Sequence, residues 1–175
     1  VKLADAGLID VDEQGNITDW RAFCFSNAMS TSVYIKDPFD EQLVSRVYDE
    51  LKALQEEGVF GIGRIYTARE AREEEHLYGG FSFVIESDGY TSFGDSAVRP
   101  LVQNFDASDY RFGRATHGYM PDYGPQPVFV AKGPDIKDGV SLGRGRVIDE
   151  APTFAALLGL TMPHAEGKPV TEILR

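Results

Sequence analysis

Asp40-Glu41-Gln42-Leu43-Val44-Ser45-Arg46-Val47-Tyr48-Asp49-Glu50-Leu51-Lys52-Ala53-Leu54-Gln55-Glu56-Glu57-Gly58, running on into Val59 to Tyr66, is the stretch that decides the fold class. Leu43, Val44, Val47, Leu51 and Leu54 recur at helical spacing, with acidic residues early and Gly58 as the stop. That pattern predicts a helix over Asp40–Glu57 that buries Leu43, Val47, Leu51 and Leu54. Val59 to Tyr66 then reads as a strand, which makes a helix–strand unit. Upstream, Arg21 to Lys36 is rich in aromatic and β-branched residues and is broken by Ser26-Asn27-Ala28. It reads as a strand, a turn and a second strand at Ser32–Ile35. Residues 1–21 read as a loop carrying a small hairpin about Asp12-Glu13-Gln14-Gly15. Downstream, Thr67-Ala68-Arg69-Glu70 is a capping-box pattern that opens a short charged helix reaching about His76.

Further along, Phe81-Ser82-Phe83-Val84-Ile85-Glu86 reads as a strand, and Ser87-Asp88-Gly89 as a hairpin turn into Tyr90–Phe93. A loop from Gly94 to Gly124 is long enough to suspect function. Val128–Ala131 reads as a short buried strand, and Asp149–Leu158 as a helix stopped by Gly159. Neither repeat nor interdomain linker interrupts the chain. The expectation is one α/β domain over residues 1–175, with a mixed sheet containing Val59–Tyr66, Phe81–Glu86 and Val128–Ala131, flanked by helices.

Composition narrows the function classes. Of the 175 residues, 42% are hydrophobic and 26% charged, as in an ordinary globular domain. A net charge of -11 argues against a nucleic-acid surface or an anionic membrane, which would repel the chain. It leaves a phosphate-bearing substrate open, because bound divalent cations invert the local charge of a site. No apolar run approaches the roughly 20 residues of a membrane-spanning helix. The one cysteine, Cys24, lies in Ala22-Phe23-Cys24-Phe25, where a buried thiol in a strand is the simplest reading. The chain starts at Val1-Lys2-Leu3 without Met, so its natural N-terminus is expected upstream.

The chemistry-bearing stretch is Ala115-Thr116-His117-Gly118-Tyr119-Met120-Pro121-Asp122, followed by Pro127-Val128-Phe129-Val130-Ala131-Lys132-Gly133-Pro134. A histidine in a Gly-flanked turn precedes an apolar run ending in Lys-Gly-Pro, then a Gly-rich loop and the last helix. Together these resemble the C-terminal end of the alkaline phosphatase superfamily, closest to its type I phosphodiesterase/nucleotide pyrophosphatase branch. The resemblance is best over Gly113–Leu174 and fair from Phe81 onward. It implies that the chain is the C-terminal portion of an alkaline-phosphatase-like fold. It also implies a metal-dependent hydrolase of phosphodiesters, nucleotide pyrophosphates or phosphate esters. Two metal ions would serve it, zinc in the first place and manganese as the other candidate, with a small phosphate-containing substrate. The attack would be in line, by a Thr or Ser in the parent protein.

In that family the His of the Thr/Ser-His-Gly turn is the last metal ligand in chain order, which carries over to His117. A neutral imidazole on a rigid turn suits zinc, and Gly118 is expected to let the backbone pass close to the metal. The earlier ligands do not occur: the chain has neither Asp-x-x-x-His nor Asp-His. This chain therefore contributes no catalytic residue of its own and is expected to be inactive alone. His76, at the end of a charged helix, and His164, after Met162-Pro163, read as surface residues. Thr116 has no second histidine to activate it as a nucleophile. Gly139, Gly143 and Gly145 fit neither a P-loop nor a dinucleotide fingerprint, and read as a flexible loop with Arg144 and Arg146 at its tip. Asp88, Asp95, Asp106 and Asp109 lack calcium-loop spacing. The alternative function is a non-catalytic binding or interaction domain on the same scaffold. Oligomeric state is left open by the sequence.

Overall fold

The computed structural model describes residues 1–104, 108 and 116–175, which divide into two units, Val1–Gln126 and Pro127–Arg175. The first opens with a single helical turn, α1 (Lys2–Asp5), and the expected hairpin, β1 (Ile9–Val11) with β2 (Ile17–Trp20). Asp12 shapes its turn by accepting the amides of Gln14 and Asn16 at 3.0 and 2.8 Å. Next come β3 (Ala22–Ser26) and β4 (Ser30–Ile35), and the short link between them allows only antiparallel pairing.

The long helix, α2 (Glu41–Glu57), is where periodicity places it. It starts one residue late because Asp40 is its cap, its carboxylate accepting the Gln42 and Leu43 amides at 3.1 and 3.0 Å. It ends at Gly58, whose φ of +70° is the left-handed conformation that glycine adopts without strain. The strand β5 (Ile62–Thr67), the helix α3 (Ala68–Glu75) and the strand β6 (Phe83–Ser87) complete the unit. The capping box at Thr67 and Glu70 is present with both reciprocal bonds.

The main sheet has the order β3-β4-β6-β5, and every pairing in it is antiparallel. This corrects the expected mixed sheet. β4 and β5 run in the same direction, as a strand–helix–strand crossover requires, but they are not neighbours. β6 returns between them, and each contact becomes antiparallel: a split β-α-β arrangement. Tyr90–Phe93 is no strand either. After the Gly89 turn this segment crosses to the β3–β4 link, where the Phe93 amide donates to the Ala28 carbonyl at 2.8 Å.

Alternation along the inner strands builds two cores. Val33, Ile35, Phe83 and Ile85 pack with Val47 and Leu51 of α2, and with Leu3, Leu8 and Ile9. Val47 and Leu51 are 0% and 2% exposed, Leu54 is also buried, and Leu43 is half-buried at the core's margin. The residues between them, Val84 above all, face the other way and meet Tyr66, Ala71, Phe81 and Met120. Met120 brings the segment after His117 onto this second face.

In the unit Pro127–Arg175, a 3-10 turn (Val147–Asp149) leads into α4 (Glu150–Leu157), close to the expected Asp149–Leu158. Buried Thr153 ties α4 to the chain end: its hydroxyl donates to the Asp149 carbonyl at 2.6 Å and accepts the Val170 amide at 2.9 Å. Val128–Ala131 is not the buried strand expected. Val128 and Val130 are 90% and 88% exposed, and no described residue pairs with the segment. Four apolar residues between Pro127 and Pro134 carry a strand-like pattern, but a strand needs a neighbouring edge to bond to.

Candidate functional site

The β3–β4 link is the hub on which the His117 turn is mounted. Ala28 there holds a φ of +64°, which is costly for a residue with a side chain. Hydrogen bonds from its surroundings hold it in place. The Ser26 hydroxyl accepts the Ala28 amide at 3.1 Å and donates to the Phe93 carbonyl at 2.7 Å. Asp95 accepts the Ser26 amide at 2.5 Å, and the Ser87 amide donates to the Met29 carbonyl at 2.9 Å.

His117 joins this hub through its backbone. Its carbonyl accepts the Met29 amide at 3.2 Å, while the residue itself is exposed. Gly118 follows with φ +95°, and a Cβ there would overlap the Asn27 carbonyl oxygen and crowd Asn27 and Met29. The glycine is therefore required by the chain's own backbone, pressed against the β3–β4 link, a cause distinct from the expected clearance for a metal. Three residues on, Met120 is 5% exposed, its side chain in the second core and its amide donating to Glu86 Oε1 at 3.0 Å. The span His117–Met120 is thus fastened at both ends.

The other sequence candidates lie elsewhere. Exposed His76 ends α3 as its left-handed cap, φ +55°, and His164 is exposed in the second unit. The Thr116 hydroxyl turns back toward the His117 carbonyl, 3.5 Å away. Asp95 caps Ser26, and Asp88 shapes its own turn by accepting the Tyr90 and Thr91 amides at 2.9 and 3.1 Å. Asp106 and Asp109 lie outside the described residues. Cys24 is partly buried on β3, and desolvation pushes its thiol up to about 11, so it is a poor nucleophile. Arg146 lies 3.4 Å from Asp149. Among the described residues, no three His, Cys, Asp or Glu side chains converge on a point that would hold a metal, and no helix is long and apolar enough to cross a membrane.

One group that sequence reading passed over stands out. Glu86 is 4% exposed near the end of β6, and the Tyr66 hydroxyl, 3.3 Å from its Oε2 and 3.4 Å from Glu75 Oε1, shares its one proton between the two carboxylates. Burial, and then the Glu86 charge, raise the Tyr66 phenol well above its ordinary range, which keeps it a hydrogen-bond donor. The Arg64 guanidinium lies 4.1 Å from the centre of the Tyr66 ring and 2.6 Å from Glu74. A cleft of about 310 Å³ opens here, lined by Arg64, Glu86, Asp88, Tyr119 and Tyr123 among others. The sequence signal was a carboxylate closing the apolar run Phe83-Val84-Ile85. No family model, curated protein or solved structure matches the chain.

Proposed function

We propose that this chain is the C-terminal part of a metal-dependent hydrolase of phosphodiesters, nucleotide pyrophosphates or phosphate esters, and that His117 supplies one metal ligand. The observation that supports it is the mounting of the Thr116-His117-Gly118 turn. The backbone is tied at His117 itself, to the β3–β4 link, and at Met120, to Glu86 of β6, and the residue is exposed. A histidine serving only the core would be buried and hydrogen-bonded there. A ligand histidine needs a fixed backbone and an accessible ring nitrogen, because coordination requires the lone pair to point at the ion.

One imidazole does not make a catalytic zinc site, which takes about three protein ligands and an open position. The described residues here fit a contribution of one ligand to a site completed by other residues of the parent protein. His117 would then hold and orient an ion that polarises a phosphate oxygen. No further step belongs to this chain's described residues.

The test is a comparison of turnover. With a chromogenic phosphodiester and added zinc or manganese, this chain alone is expected to show none. The complete gene product is expected to be active and to stop when a chelator removes the metal. A complete product that is inert, or that works undiminished in chelator, would leave the scaffold as a binding domain.

A further inference from the structure

We infer that Glu86 is a positioning residue: from the middle of the sheet it latches the loop that carries His117. Its value to metal chemistry rests on the proposed function, but the latch is a property of this chain. β6 lies between β4 and β5, so its backbone is bonded along both edges. Alternation from Val84 puts Glu86 on the face that receives Tyr66 and Met120.

There the carboxylate is 4% exposed, and its donors among the described residues are neutral: the Met120 amide at 3.0 Å and Tyr66 Oη at 3.3 Å. The cross-strand partner of Glu86, Arg64, lines the same cleft but pairs with Glu74 at 2.6 Å, so a carboxylate this buried is a costly choice for a core position, where an apolar side chain of the same length would serve packing better. What the carboxylate supplies, and an apolar residue does not, is an acceptor for a backbone amide that no strand partner satisfies. Met120 is three residues beyond His117, and the Met29 bond holds the other end at His117 itself. Without the Glu86 contact the turn keeps, among the described residues, the Met29 bond at His117.

Two substitutions separate a latch from a packing role. Glu86→Gln keeps an acceptor for the Met120 amide and can donate to the Tyr66 oxygen. Glu86→Met keeps the length and removes the acceptor. Amide exchange and the His117 ring signals are read by NMR in this chain without metal, with the methyls of Val33, Val47 and Leu51 reporting on the opposite core. In Glu86→Met, Met120 exchange is expected to rise about tenfold, the equivalent of about 1.4 kcal/mol. The His117 ring signals should move while the core methyls stay in place. Glu86→Gln is expected to resemble the wild type in every signal. Unmoved His117 signals and Met120 exchange in Glu86→Met would overturn the inference. So would a Gln protein that behaves like the Met one, which makes charge the role, or a Met protein that unfolds, which makes the contact a requirement of the whole fold and not of the turn. Because no metal is present, failure here leaves the metal reading standing, and failure of the metal reading leaves the latch.

Discussion

At the residue scale, Gly118 carries more of the structure than its size suggests. It was legible in the sequence as a special backbone position, but for a different cause. The turn flanking His117 must pass against the Asn27 carbonyl, a partner 91 residues away in the chain that no local pattern announces. Gly118→Ala meets both a positive φ and that carbonyl. The substitution is expected to cost about 1–3 kcal/mol, the usual range for a residue forced into a sparsely populated backbone region. Urea unfolding measures the loss, and faster exchange of the Met29 amide would report that the turn has lifted off the link. A Gly118→Ala protein with wild-type stability and Met29 protection would mean that the close approach is not real.

At the element scale, α2 is the part that periodicity reads best, because its stripe and its cover agree. Val47, Leu51 and Leu54 sit on one side of the helix and are buried. Leu51→Asp places a charge where the leucine is 2% exposed. Burying a leucine contributes about 1.5–3 kcal/mol, and the unpaired carboxylate adds to the deficit, so a loss of at least about 3 kcal/mol is expected in denaturant unfolding. A change below about 1 kcal/mol, the centre of ordinary substitutions, would contradict the packing of α2 on the sheet.

Local pattern also located β1 to β6 to within a few residues. It could not tell which strand lies between β4 and β5, because strand order depends on where the chain returns. The same gap produced the error at Val128–Ala131, since Val-Phe-Val-Ala reads as a strand wherever it stands and pairing is decided elsewhere. Glu86 escaped notice for a related reason. A carboxylate at the end of an apolar strand looks like a boundary until Met120, 34 residues later, is seen to donate to it.

At the scale of the whole molecule, a chain of net charge -11 is an unpromising place for a phosphate unless cations come with it. That makes metal loading the measurement that bears most directly on His117. Bound zinc and manganese per molecule of the complete gene product should be determined after exhaustive dialysis, for the wild type and for His117→Ala. The exposed imidazole contributes little packing, so the variant is expected to keep its fold by circular dichroism. It should retain at least one ion fewer than the wild type and lose phosphodiester turnover. Equal metal content and equal turnover in the two proteins would contradict His117 as a ligand and, with it, the reading of this chain as part of a metal-dependent hydrolase.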